Sequence, residues 1–232
     1  MIMCRQPFHR IFLAILPMLC PCALAQEGVT LRFLAFPKSH SPEPLELRIG
    51  ENETIQVETP GNELSQAYEV PRIASIVVGK TVNNGKNGEV FQVYGNAKTL
   101  AAQEQIVLLV RKGGANSDGF VVLPVSGEEA NFSGASFLFV NASNLSVGGF
   151  IGDQKFALKP GQMRTLKPTT DHRDGICQVT LSYLKGETWK AFYDTRWPAN
   201  TKYRSIVFFY QDPVSGRLGI APIVDVMPYR EE

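Results

Sequence analysis

Apolar residues in this chain come in short runs that turn residues keep breaking, and no run sustains the spacing of an amphipathic helix. Residues 137–161 show the pattern most clearly. Apolar runs at 137–140, 147–151 and 156–158 are separated by Asn141-Ala142-Ser143-Asn144, Gly152-Asp153 and Pro160-Gly161. Gly and Asn accept positive φ, Pro presets φ, and Asp or Asn bond their own backbone, so each interruption predicts a turn between strands.

The same grammar occurs twice. Phe33-Leu34 corresponds to Phe137-Leu138, 104 residues on, and Ile49-Gly50 to Ile151-Gly152, 102 on. Pro60-Gly61 matches Pro160-Gly161 at 100, and the stretch from Gly88 to Tyr94 matches that from Gly186 to Phe192 at 98. Residues 106–119 align with 206–219 at 100. Anchors in one order with so small a drift predict two divergent copies of a domain-sized unit. The expected organisation is a signal peptide over 1–25, a first module over 26–126, a linker over 127–134 and a second module over 135–232. Within the first module, only 97–105 has the look of a helical turn.

Many short strands with a turn signal every 8 to 12 residues predict an all-β protein. The expected form is two tandem antiparallel immunoglobulin-like β-sandwich modules, related by internal duplication. The Cys…Trp…Cys arrangement of true immunoglobulin domains is absent, so the expectation concerns architecture. The linker, rich in small and polar residues, predicts modules that touch while keeping some relative motion.

At the N-terminus, Arg5, His9 and Arg10 precede an apolar core at 11–19 and the small-residue triplet Ala23-Leu24-Ala25, the pattern of a cleaved signal peptide with Gln26 as the mature start. Residues 11–24 are too few to cross about 30 Å of hydrocarbon, and Pro17 and Pro21 interrupt them. The expected location is periplasmic or extracellular, with no membrane span after cleavage. Loss of Arg5 and Arg10 leaves 21 Lys and Arg against 22 Asp and Glu. That balance gives no basic footprint for nucleic acid. Cleavage also removes Cys4, Cys20 and Cys22, so Cys177 is the only thiol left, expected as a small buried apolar residue on a strand.

The residues offer little catalytic chemistry. A hydrolase would have to use His172 with Asp171 or Asp174, but 115–119 lacks the first Gly of a nucleophile elbow. No His follows Cys177 as a blue-copper ligand would, and the loop at 83–89 has one carboxylate where calcium needs several oxygen ligands. The expectation is no enzyme activity, no cofactor and no metal. Asn-x-Ser/Thr sequons begin at Asn52, Asn131, Asn141 and Asn144.

The functional lead is aromatic: Trp189, Phe192, Tyr193, Trp197 and Tyr203 lie close together with Lys190, Asp194, Arg196 and Lys202. Trp189 and Phe192 align with Phe91 and Tyr94, which predicts core positions for both. Arg196 and Trp197 align with Lys98 and Thr99 and are special to the second copy. Arg196, Trp197, Tyr193 and Tyr203 are therefore the candidate binding residues.

Through residues 137–161 and from Thr195-Arg196-Trp197-Pro198 to 206–210, the chain resembles uncharacterised exported bacterial proteins with tandem β-sandwich domains; this resemblance implies the architecture and no activity. In size it also resembles periplasmic pilus chaperones, which carry two immunoglobulin-like modules after a signal peptide; their subunit-anchoring motif has no match here. The resulting expectation is a non-enzymatic exported protein binding another macromolecule, a protein or glycan, at the cell envelope. A carbohydrate-binding module that uses the second-copy aromatics is the alternative.

Overall fold

The computed structural model describes residues 28–39, 43–85, 88–112, 119–169 and 175–227, and among them the regular elements are all strands. The expected signal peptide and the His172, Asp171 and Asp174 group lie outside the described residues. The first half holds β1 (Gly28–Phe36), β2 (Leu45–Arg48), β3 (Thr54–Val57), β4 (Tyr68–Pro71), β5 (Ser75–Asn83), β6 (Glu89–Lys98), β7 (Glu104–Arg111) and β8 (Phe120–Ser126). The second holds β9 (Phe137–Asn141), β10 (Val147–Ile151), β11 (Gln154–Leu158), β12 (Met163–Leu166), β13 (Ile176–Lys185), β14 (Thr188–Pro198), β15 (Tyr203–Gln211) and β16 (Leu218–Val226).

The strands form four sheets, ordered β3-β2-β5-β6, β4-β1-β7-β8, β12-β9-β15-β16 and β11-β10-β13-β14. Counted from its own first strand, each half has the same two orders. Each half also has a β-bulge at the same place, between Val78 and Gly79 on β5 and between Leu181 and Ser182 on β13. Pro124 and Pro222 sit at matching points of the edge strands β8 and β16, where the missing N–H blocks further pairing.

Three expectations need correction. The sheets are not wholly antiparallel, because β1 pairs with β7 and β9 with β15 in parallel. Between β1 and β7 the chain crosses to the opposite sheet and back, and such a crossover, unlike a hairpin, allows parallel neighbours. The immunoglobulin comparison holds for layering alone: the orders above are not the ABED and CFG orders of that fold. Residues 97–105 make no helical turn; 99–103 is an irregular link in which the buried Gln105 amide donates to the carbonyls of Leu100 and Ala102.

Each half is a sandwich around its own core. Leu31, Phe33, Leu47, Ile76, Val78 and Val107 fill the first, and Phe139, Val147, Ile151, Val179, Leu181 and Phe209 the second. A third core joins the halves. Leu34, Phe36, Ile106 and Leu108 of β1 and β7 meet Leu138, Val140, Ile206 and Phe208 of β9 and β15, with Phe36 and Phe208 stacked at 4.2 Å. The four sheets therefore form one stack, and its two inner sheets are covered on both faces. That accounts for the unbroken apolar runs in β1, β7, β9 and β15, which alternation alone does not require.

The linker belongs to this third core. Phe132 is fully buried in it, beneath the Arg204 guanidinium at 4.7 Å from the ring. Arg204 donates to the carbonyls of Gly127 and Phe132 at 2.6 and 2.7 Å and, through Nε, to Asp225 Oδ2 at 2.8 Å. Arg32 of the first half donates to the other oxygen of Asp225 at 2.8 Å. One buried carboxylate thus ties both halves and the linker together. Of the sequons, Asn141 is fully buried, and its amide donates to the carbonyls of Leu145 and Leu158, a turn role that leaves no room for a glycan.

Candidate binding face

Strand β14 carries most of the aromatic cluster, and a bulge decides where each ring goes. Along a regular strand, side chains alternate between faces, so Trp189 and Trp197 would share one. Phe192 is the extra residue: Leu181 pairs with Tyr193, whereas Ser182 pairs with Ala191. The bulge reverses the parity. Tyr193 and Trp197 consequently point into the second core, and Trp189 points out.

Trp197 is half-buried and belongs to a ladder of stacked rings, 5.6 Å from Phe137 and 6.3 Å from Phe139. Its indole N–H donates to the Tyr193 hydroxyl at 3.3 Å. Cys177, its partner across β13, is buried beside it, and burial raises the thiol pKa. Arg196 is exposed on the outer face, opposite Gln178. Tyr203 starts β15 in a different sheet, opposite Val226. Of the four candidates, the structure brings together Tyr193 and Trp197, as packing partners; Arg196 lies on the outer surface and Tyr203 in another sheet. Phe192 packs at the edge of the core as expected, but Trp189 is not a core residue.

Trp189 is 46% exposed and Phe150, on β10, is 48% exposed. Both lie on the outer face of β11-β10-β13-β14. A Cβ built on Gly148 would meet the tip of the Trp189 ring at 3.3 Å. Gly148 is two strands from β14, about 10 Å at the ordinary strand spacing, so the indole reaches it only by lying along the sheet across β13. Gly148 is buried although it is on the outer face, because the backbone of Phe156 and Ala157 on β11, at 2.5 and 3.1 Å from where its Cβ would be, closes over it together with the indole tip.

Between the rings the floor is low and uncharged, made by Gly148, Ala157, Ser182, Ala191 and Thr180. Polar groups stand at the rim. Lys155 Nζ lies 5.5 Å from the centre of the Phe150 ring, Gln178 donates to Asp194, and Arg196 is next along the strand.

The first half has a corresponding face, and its own side chains cover the aromatic ring there. Register places Phe91 where the second half has Trp189, Glu46 where it has Gly148, and Arg48 where it has Phe150. The Arg48 guanidinium lies over the Phe91 ring at 4.3 Å. Glu46 accepts from the Thr81 hydroxyl at 2.6 Å, the Thr81 N–H at 3.1 Å and the Thr54 hydroxyl at 3.3 Å. The Thr81 hydroxyl, foremost among these groups, holds the Glu46 carboxyl below the usual carboxylate range. With Phe and Gly in the places of Arg and Glu, the second half lacks that cover, and Trp189 and Phe150 are each about half exposed, the latter with Lys155 beside it.

A concavity of about 650 Å3 lies between the halves and is lined by Arg32, Ser65, Gln66, Glu104, Arg204 and Met227. Its two arginines are already engaged by Asp225. Among the described residues no helix is long and apolar enough to cross a membrane. No known protein family matches the chain, and no curated protein matches it.

Proposed function

We propose that this chain is an exported, non-enzymatic binding protein of the cell envelope or its exterior, in which a duplicated β-sandwich unit has become a single rigid stack. Its recognition surface is the outer face of β11-β10-β13-β14, centred on Trp189 and Phe150. The observation that carries this reading is the contrast between corresponding faces, one with Arg48 over its aromatic ring and Glu46 tied down beside it, the other with Trp189 and Phe150 about half exposed. Large apolar rings half in water cost solubility unless something covers them, and aromatic anchors with a polar rim are typical of recognition surfaces. The N-terminal charge and hydropathy pattern supports export.

Oxidation by N-bromosuccinimide tests the reading. Trp189 should react in the free protein while Trp197 does not, and an envelope fraction of the source organism should protect Trp189. Unchanged oxidation of Trp189 in the presence of that fraction refutes it.

A further inference from the structure

The chemistry of the open face narrows the ligand. We infer that it binds the sugar rings of a neutral, extended polysaccharide, with Trp189 and Phe150 as stacking platforms; this rests on the reading that the face is the recognition surface. A pyranose has one flank of axial C–H groups, which stack on an aromatic π-face, and a periphery of hydroxyls, which need hydrogen-bonding partners. The face supplies both. The indole extends across β13 as far as Gly148 and is 46% exposed, so much of the ring is open to solvent.

Gly148 and Phe150 are two residues apart on one strand, about 7 Å. The Trp189 ring tip reaches the first and Phe150 is the second, so the two rings are neighbours on one face and a chain laid across it can meet both. Between them the Ser182 and Thr180 hydroxyls sit on a floor of Gly and Ala, and Gln178, Asp194 and Lys155 flank it.

Charge completes the assignment. The floor carries no ionised group, and at the rim Asp194 offsets part of the charge of Lys155 and Arg196. A neutral polyhydroxylated chain brings no charge of its own to desolvate, and its hydroxyls can accept from the Lys155 ammonium beside Phe150. Two exposed rings beside small residues make a narrow apolar strip, which suits a chain better than the broad complementary patch of a globular partner.

The chain has two tryptophans, so Trp197→Phe leaves Trp189 as the only indole reporter. Emission of this variant should be titrated with cellohexaose, xylohexaose, mannohexaose and chitohexaose. At least one should shift the Trp189 emission to the blue with a saturable curve. Calorimetry with that sugar on the otherwise native chain should show binding weakened about tenfold or more by Trp189→Ala, which is about 1.4 kcal/mol. Phe150→Ala should weaken it several-fold, and Arg48→Ala on the first half should leave it unchanged. No emission change with any of the four sugars, or binding indifferent to Trp189→Ala, overturns the assignment. Treating the envelope fraction separates the two readings. Protection of Trp189 that survives proteinase K and is lost after periodate supports the glycan. Protection lost to proteinase K and retained after periodate leaves the recognition face standing and removes the sugar. No protection from the untreated fraction removes both.

Discussion

Phe208 and Phe209 are neighbours on β15, both fully buried, and they point to opposite faces of one sheet. Phe209 sits inside the second sandwich, whereas Phe208 sits in the core between the halves, stacked on Phe36 at 4.2 Å with the rings 2° from parallel. If the interface is packed like an interior, Phe208→Ala and Phe209→Ala should cost alike, about 3 to 5 kcal/mol each. Taking a urea m-value near 3 kcal/mol/M, toward the upper end for a chain of this size, each variant should lower the midpoint by about 1 to 1.7 M. Urea unfolding followed by far-ultraviolet circular dichroism and by tryptophan emission measures this directly. Both tryptophans are in the second half, whereas circular dichroism reports the whole chain. The two probes should therefore coincide in the native protein, as one cooperative unit requires. A Phe208→Ala midpoint close to the native value beside a large fall for Phe209→Ala would show two domains that merely touch, and the four-layer argument would be wrong.

Asp225→Ala removes the shared partner of Arg204 and Arg32, leaving the nearly fully buried Arg204 charge without its carboxylate. It should cost about 3 to 5 kcal/mol, and Arg32→Ala, whose side chain is 32% exposed, about 1 kcal/mol or less, by urea midpoints. Equal costs for the two variants would deny Asp225 its central place. Trp197→Ala should destabilise by about 3 to 5 kcal/mol, whereas Trp189→Ala should stay within about 1 kcal/mol, and the reverse ranking would contradict the bulge-directed assignment of the rings. Cys177, buried and donating weakly to the Trp197 carbonyl at 3.5 Å, should be alkylated by iodoacetamide at the global unfolding rate, as peptide mass spectrometry can follow. Burial raises its folded pKa, so the neutral thiol favours the fold. That contribution is complete below the unfolded thiol pKa of about 8.5 and is lost as pH rises through the folded value.

The strand content was legible because turn chemistry is local: Gly152-Asp153 and Pro160-Gly161 end their strands whatever packs around them. Cys177 also lies buried on a strand where its apolar setting placed it. β4 was not legible. Tyr68-Glu69-Val70-Pro71 is short and mixed, and it becomes a strand by pairing with β1. The third core had a signal that alternation obscured. In β1, Val29, Leu31, Phe33 and Ala35 satisfy one face, but Leu34 and Phe36 are apolar as well, and a strand apolar on both sides must be covered on both. The site is half legible: the second-half aromatics are where the surface changes, yet the alignment of Trp189 with Phe91 points it to the core. That alignment holds in the register, but Phe91 itself faces outward beneath Arg48. Phe192 reversed the alternation, and a one-residue bulge leaves no mark on composition.

The order of the layers explains why novelty should collect on an outer sheet. A side chain on β1, β7, β9 or β15 meets packed neighbours on either face, so a change of volume there disturbs a core. The outer sheets each have one free face, and substitutions on it leave the cores intact. On the first half that face is closed by contacts internal to the sheet: Arg48 over Phe91, and Glu46 held by Thr54 and Thr81. On the second, Phe150 and Gly148 occupy the corresponding places; the glycine leaves room for the tip of the indole, and the phenylalanine puts a half-exposed ring at the position that Arg48 holds on the first. Two positions thus separate a surface satisfied by its own side chains from one that leaves two aromatic rings about half exposed, while the inner sheets hold both on packed cores.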